Sequence, residues 1–264
     1  MIGIGATLFK VPTAYGQGFS PASLFSSGEA GAWYDISDLS TLFQEDGTTP
    51  AVVDGIVGKV LDKSGNGKHI VQTTDTKCPI LKQDGSLYYL EFDGIDDGLQ
   101  TSSNIDFTAT DTMSVFAGAR KENNANEVVA ELSTNIGSGD TTGAFRLNAI
   151  GGDLWRYTSK GASLVNSNAS NFAPPITSVL TGLSDISDDS CIIRVNGAQE
   201  GSATGDQGAG NYGNHPLNVG ARNGGAGLVL DGRIYGLIVR GVSSTAAEIA
   251  STEAYMALKT GVSI

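Results

Sequence analysis

The chain has 264 residues, of which 40% are apolar, and this is enough for a sizeable core in one large domain or two small ones. Its formal net charge is −12, and no local cluster of Lys or Arg offsets that charge, so the composition argues against nucleic-acid binding. Glycine is frequent at 36 residues and only 17% of the residues are charged, which is typical of turn-rich all-β proteins.

The N-terminal sequence MIGIGATLFKVP lacks a cationic leader, a long apolar stretch and a small-residue cleavage site. Nothing in the chain approaches the roughly 20 apolar residues of a membrane span. We therefore expect synthesis in a cytoplasm and no membrane insertion. Two cysteines, Cys78 and Cys191, allow one disulfide but no disulfide framework, and two reduced, buried thiols are the favoured interpretation.

Residues 1–30 are rich in Gly, Ser and small apolar residues and show no clear periodicity. We interpret them as an extended N-terminal arm that needs a partner surface. The alternative is a disordered terminus. The domain is expected to span residues 31–264.

Short apolar runs alternate with turn signals from Trp33 onward, in the pattern of a sandwich or barrel. The predicted strands are VGKVL, HIVQ, PILK, SLYYLEF, DGLQT, TMSVFAGAR, EVVAEL, GAFRLNAI, LWRYTS, ITSVLTGL, CIIRV, PLNVG and GRIYGLIVRG. Asn196-Gly197 is the strongest hairpin signal, because a type I′ turn needs positive φ at both central positions. One helix is predicted over residues 244–260, where Thr245 and Glu248 form a capping box and Gly261 stands at the C-cap.

Three stretches, taken in order, resemble a known family: DKSGNGKHI at 62–70, LEFDGIDDGLQ at 90–100, and CIIRVNGAQEG followed by DGRIYGLIVRGVSSTAAEI. They are similar to the turn, strand-end and hairpin motifs of concanavalin A-like, laminin-G-like jelly rolls. The resemblance implies an all-β, two-sheet antiparallel jelly-roll sandwich with the N-terminal arm and one C-terminal helix.

A narrower resemblance joins the segment from Phe19 to Pro50 and the terminal EAYMALKTG helix to laminin-G-like proteins of tailed bacteriophages. It implies a non-enzymatic structural or adhesive virion component, such as a head decoration, head fibre or tail fibre, on the particle surface. Its partners would be other virion subunits, contacted through the arm, and a short fibre would be a closed homo-oligomer. The alternative is a host-glycan-binding lectin, and a glycoside hydrolase is the third reading, since the fold does not decide the function.

The DKSGNGKH stretch has two open interpretations. Asp62, Ser64, Asn66 and Gly67 match the first positions of a calcium loop, so Ca²⁺ is a candidate cofactor. The closing acidic residue is missing, since Thr73 stands there, and ligands would have to come from elsewhere, such as Asp93, Asp96 or Asp97. The alternative is a tight turn in which the Asx side chains bond their own backbone. A phosphate loop is excluded, because Asp and His stand where Gly and Ser or Thr are required.

Catalytic and sugar-binding residues give weaker signals. Glu91, Asp93 and Asp96 approach the carboxylate pattern of retaining glycosidases, but Gly94 breaks the strand and the last acid is one methylene short. No nucleophile elbow or zinc spacing occurs, so no catalytic residue is assigned. Of the aromatic residues, the two tryptophans are expected in the core, whereas Tyr212 and His215, in a Gly- and Asn-rich loop, are the candidates for exposed glycan contacts.

Overall fold

The structure is a computed structural model that describes residues 18–264. Its strands, in chain order, are β1 (Gly31–Asp35), β2 (Leu42–Phe43), β3 (Lys59–Val60), β4 (Ile70–Val71), β5 (Ile80–Asp84), β6 (Leu87–Asp93), β7 (Leu99–Thr101), β8 (Ile105–Asp106), β9 (Thr112–Lys121), β10 (Glu127–Leu132), β11 (Ala144–Ile150), β12 (Leu154–Lys160), β13 (Leu164–Ala169), β14 (Ile176–Asp185), β15 (Ser190–Val195), β16 (Ala198–Ala203), β17 (Asn214–His215), β18 (Leu217–Val219) and β19 (Asp231–Arg240).

Two large antiparallel sheets form a sandwich. The eight-stranded sheet has the order β16-β15-β14-β9-β19-β6-β5. Its eighth strand, β1, pairs with residues 236–240 of β19, whereas β6 pairs with residues 231–234 of the same strand. The nine-stranded sheet has the order β13-β12-β11-β10-β18-β7-β4-β3-β2, and β8 and β17 form a small third sheet. The predicted two-sheet sandwich is confirmed.

The main core lies between the two large sheets. The central strand β9 shows how it is built: Val115, Ala117 and Ala119 alternate along the strand and belong to this core, whereas Phe116 faces the opposite side. Both faces of β9 are therefore buried. The two tryptophans are buried as expected, with Trp33 at 6% and Trp155 at 0% exposure.

A single α-helix, α1 (Ala246–Thr260), is present among the described residues, where the sequence places it. Thr245 and Glu248 form the predicted capping box, and Gly261 ends the helix with a φ of 71°. Met256 is buried with Phe116 in a second core on the outer face of the eight-stranded sheet. The helix thus covers one face of the sandwich.

The hairpin prediction is also confirmed. Strands β15 and β16 are joined by Asn196 and Gly197, which have φ values of 50° and 82°. Every predicted strand overlaps an observed one, and the strands that the apolar runs do not predict are β1, β2, β8, β13, β16 and β17.

The predicted arm differs from the structure in its second half. Residues 21–25 form a 3₁₀ helix whose Leu24 and Phe25 side chains are buried in the core beneath α1. Residues 18–30 therefore pack on the sandwich because two large apolar side chains find a surface there. Residues 1–17 of the predicted arm lie outside the described residues.

Cys78 and Cys191 are buried and are not joined to each other. Burial raises the pKa of each thiol to about 12, so both remain protonated at neutral pH.

Within residues 18–264, no helix combines the length and the apolar character that a membrane crossing demands.

Candidate functional site

The Asp62 carboxylate organises the DKSGNGKH turn. Its Oδ1 accepts hydrogen bonds from the backbone N–H groups of Trp33 and Ser64, at 2.9 and 2.8 Å. Its Oδ2 accepts from the Ser64 hydroxyl at 2.8 Å and from the backbone N–H of Lys68 at 2.9 Å. Four donors thus occupy the lone pairs that a calcium ion would need.

Asn66 does not complete a calcium loop either. Its Nδ2 donates to the carbonyl oxygens of Glu29 and Gly31, at 3.0 and 3.1 Å, which orients the amide as a donor to the segment before β1. The arrangement around Asp62, Ser64 and Asn66 does not fit Ca²⁺ and favours the alternative of a hydrogen-bonded turn.

The same turn connects β1 to α1. Lys63 places its ammonium 4.7 Å from the centre of the Trp33 ring and 3.7 Å from the Asp35 carboxylate. Asp35 in turn accepts hydrogen bonds from the Tyr255 hydroxyl at 2.8 Å and from Lys259 at 3.1 Å, both on the helix. This motif therefore has a structural role in the packing of the helix against the sandwich.

Asp93, Asp96 and Asp97 form an acidic cluster, with one carboxylate oxygen of each within 4.8 Å of the others. Asp93 Oδ1 accepts from the backbone N–H groups of all three residues that follow Gly94. Burial, together with the charges of Asp93 and Asp96, raises the pKa of Asp97 to about 6. Asp62 is not part of this cluster, so the proposed sharing of ligands between the two stretches does not occur.

The carboxylates of the glycosidase pattern do not form a matched pair. Glu91 lies on β6 near Arg233, with Oε1 3.8 Å from Nε. Asp93 ends the same strand and its carboxylate holds the following turn. A cavity of about 260 Å³ lies beside both residues. The last acid of the pattern, Asp96, belongs to the turn and not to the strand.

The expectation that Tyr212 is exposed is wrong. The side chain is 1% exposed and belongs to the core between the sheets. Its hydroxyl lies 2.6 Å from Ser159 Oγ and 2.6 Å from Ser184 Oγ. The loop folds inward at this residue because the aromatic ring fills the core while these two serines satisfy its hydroxyl.

His215 remains partly exposed, on the short strand β17. Its Nε2–H donates to the carbonyl oxygen of Thr142 at 2.8 Å. The structure therefore does not bring Tyr212 and His215 together on one surface, and their predicted glycan contact as a pair has no geometric support.

The outer face of the nine-stranded sheet carries a row of polar side chains that the sequence did not single out. Cross-strand pairing places them side by side over six adjacent strands, about 24 Å at the usual strand spacing. In strand order from β7 to β13 these residues, which we call the polar row, are Gln100, Asn218, Glu131, Arg146, Thr158 and Asn166.

A second, shorter row lies parallel to the first. It consists of Asn148, Arg156 and Asn168, paired in register on β11, β12 and β13. Arg156 Nε donates to Asn168 Oδ1 at 2.7 Å. The sequence signal for both rows is alternation. On β11, Arg146 and Asn148 alternate with the core residues Phe145, Leu147 and Ala149.

One end of the polar row is cross-linked internally. Arg222, from the loop after β18, binds both carboxylate oxygens of Glu131, at 3.1 Å each from its Nη2. Gln100 donates to Asn218 Oδ1 at 2.8 Å, and Asn218 donates to the carbonyl oxygen of Ser133 at 2.7 Å. Within the two rows Asn218, Glu131, Thr158 and Asn148 are fully buried. The amide and guanidinium groups that keep some exposure on this rigid sheet are those of Gln100, Arg146, Asn166, Arg156 and Asn168.

Comparison with solved structures shows that the sandwich fold is shared with toxin binding domains. The receptor binding domain of botulinum neurotoxin type G matches with a TM-score of 0.57 at 10% identity, over 86% of this chain and 51% of that one. A structure concerning botulinum neurotoxin type C, whose cell entry is dependent upon interaction with two ganglioside molecules, matches with a TM-score of 0.60 at 10% identity, over 90% of this chain and 53% of that one.

The binding domain of Paraclostridial Mosquitocidal Protein 1 matches with a TM-score of 0.56 at 12% identity, over 75% of this chain and 50% of that one. This chain therefore spans about half the length of the structures it matches. No protein-family model and no curated protein sequence matches it.

Proposed function

We propose that the protein is a non-enzymatic, lectin-like module that binds glycans on the outer face of its nine-stranded sheet. The observation that carries this proposal is the polar row, together with the parallel row of Asn148, Arg156 and Asn168. Sugars present many hydroxyl groups, and sites that recognise them need several donors and acceptors fixed in place. Side chains on a sheet meet that requirement better than side chains on a mobile loop.

The structural likenesses support this proposal through the ligands of the matched proteins. One concerns a receptor binding domain, and another concerns a neurotoxin whose cell entry depends on two ganglioside molecules, which are glycans carried by lipids. Their sandwich is the same fold as that of this chain. Cell-surface glycans are therefore the proposed partners.

The virion role implied by the phage resemblance stays a prediction, as do the particle-surface location and the homo-oligomer. None of the likenesses described above concerns a virion protein. Detection of the chain in purified phage particles would test that role independently of any sugar.

A glycan array probed with the full chain tests the proposed function. We expect binding to a defined set of glycans, and equal binding in Ca²⁺ and in EDTA, because the Asp62 turn does not fit a calcium ion. Absence of binding to any glycan would contradict the proposal.

Variants locate the binding surface. Replacement of both Asn166 and Asn168 by Ala removes two amides from the proposed face and should weaken binding about tenfold, the effect of losing one or two hydrogen bonds. The control is Gln199→Ala on β16, an exposed amide of the other large sheet. An equal loss of glycan binding in both variants would contradict a binding site on the outer face of the nine-stranded sheet.

A further inference from the structure

Arg146 lies in the middle of the polar row, on the central strand β11. It is paired in register with Glu131 on one side and Thr158 on the other. Its side chain is partly exposed, and its Nε is buried without an acceptor. Within residues 18–264 the guanidinium makes no hydrogen bond and no ion pair, so its five N–H donors have no protein acceptor.

The carboxylate directly opposite cannot serve as that acceptor. Glu131 is completely buried, and Arg222 binds both of its oxygens. Its Oε1 also accepts from the Ser133 hydroxyl at 3.0 Å and from the backbone N–H of Ile136 at 2.7 Å. Residues 1–17 contain no Asp or Glu, so that segment cannot supply a carboxylate either.

The charges around Arg146 are those of the buried Glu131, of Arg222, which is paired with it, and of Arg156. Burial lowers the pKa of Arg146, Glu131 acts in the opposite direction, and the charges of Arg222 and Arg156 lower it further. Arg156 has only a neutral hydrogen-bond partner, Asn168. In a chain of net charge −12, an arginine left without any carboxylate partner is best explained by an anionic ligand.

The neighbouring Asn148 is closed to a ligand. This side chain is fully buried, and its Nδ2 donates to Asn126 Oδ1 and to the carbonyl oxygen of Ala149, at 2.9 Å each. Arg146, which is partly exposed, is therefore the residue that carries the ligand contact.

Neither row contains an aromatic side chain. Beyond Gln100, cross-strand pairing continues the polar row to Val71, Lys59 and the partly exposed Phe43. At Arg146 itself, recognition would depend on hydrogen bonds and charge.

Resting on the proposed function, we infer that the glycan is acidic and that the carboxylate of a uronic or sialic acid residue binds the Arg146 guanidinium. The planar fork of arginine pairs with a carboxylate through two parallel hydrogen bonds, and Arg156 adds positive charge beside it.

Isothermal titration calorimetry on the full chain tests this with two matched ligand pairs. Oligogalacturonate is compared with its methyl ester, and 3′-sialyllactose with its methyl ester. Each pair differs only in the charge of the carboxyl group, and the two pairs separate the two sources of that group. We expect at least one acidic ligand to bind about 10- to 100-fold more tightly than its neutral partner, and more weakly as salt rises.

The variant Arg146→Gln should remove that preference, and Arg146→Lys should restore only part of it, because an ammonium keeps the charge but not the fork. Arg120→Gln is the control for the change in net charge, since Arg120 lies on β9 of the other large sheet and pairs with Glu122. The thermal unfolding of Arg146→Gln should stay close to that of the parent, because no hydrogen bond or ion pair with residues 18–264 is lost and glutamine keeps part of the aliphatic stem.

Equal binding of the acidic and neutral partners, or equal behaviour of Arg146→Gln and Arg120→Gln, would overturn this inference and leave glycan binding intact. Binding of no glycan at all would remove the proposed function as well.

Discussion

At the residue scale, Asp62 illustrates how one side chain can resemble a metal ligand and act as a structural acceptor. It is 9% exposed, and it satisfies the backbone N–H groups of Trp33, Ser64 and Lys68. A buried N–H without an acceptor costs about 1–3 kcal/mol. The acid is therefore required by the fold with or without a metal ion.

We predict that Asp62→Ala lowers the free energy of unfolding by about 3 kcal/mol, since it leaves these N–H groups without their acceptor. Urea denaturation measures the loss, and the loss should be the same in Ca²⁺ and in EDTA. The matched control is Asp188→Ala, an exposed acid whose side chain accepts no hydrogen bond from residues 18–264. A loss that appears only when Ca²⁺ is present would instead support the calcium loop.

Asp97 makes stability depend on pH in the opposite direction from an ordinary ion-paired acid. Its pKa is raised to about 6 in the folded chain, so the folded state binds more protons than the unfolded state between about pH 4 and 6. The free energy of unfolding should therefore fall as pH rises through this window. The loss of folding free energy caused by the charged Asp97 carboxylate is fully present at pH 7.5.

We predict that Asp97→Asn raises the free energy of unfolding at pH 7.5 by about 1–2 kcal/mol, because the amide oxygen can still accept from the backbone N–H of Asp93 without a charge. The gain should vanish below about pH 4, where Asp97 is protonated in both states. Urea denaturation over a pH series measures it, with Asp188→Asn as control. A gain that is the same at every pH would show that the carboxylate charge is not its cause.

At the element scale, predictions from the sequence succeed where the signal is local. Asn196-Gly197 and the capping box of α1 act within a few residues, and both are present. Strand β13 was missed because Val165 is its only large inward residue, Ser167 and Ala169 being small, and because the apolar Leu164 faces outward, which removes the apolar alternation.

The candidate site shows the same limit. Alternation on β11 could have placed Arg146 on an outer face, next to the core residues Phe145 and Leu147. Nothing local shows that Glu131 is already bound by Arg222, which is 91 residues away in the chain. The unpaired state of Arg146 depends on that long-range contact, and only the three-dimensional structure reveals it.

The helix cap gives a prediction at this scale. Thr245→Ala should lower the free energy of unfolding by about 1 kcal/mol, because the backbone N–H of Glu248 loses its side-chain acceptor. Thr245→Ser keeps the hydroxyl and should cost much less. Urea denaturation of both variants makes the comparison. Equal losses would assign the effect to the lost methyl group and not to the cap.

At the scale of the whole molecule, the boundary between the N-terminal arm and the folded domain depends on long-range packing of residues 18–30, which the local sequence pattern does not reveal. The sequence PASLF has no periodicity of its own, yet Leu24 and Phe25 share a core with Phe116 and Met256. That core lies on the outer face of the eight-stranded sheet. The helix and the 3₁₀ helix cover this face together, which leaves the outer face of the nine-stranded sheet as the one that presents polar side chains.

We predict that Leu24→Ala lowers the free energy of unfolding by about 2–5 kcal/mol, since Leu24 is 1% exposed and its loss leaves a cavity beneath α1. Leu258→Ala on the helix is the matched control, because that leucine is 78% exposed and its loss should change stability by less than about 0.5 kcal/mol. Urea denaturation followed by circular dichroism measures both. If Leu24→Ala behaved like Leu258→Ala, residues 18–30 would be a detachable arm and not part of the folded domain.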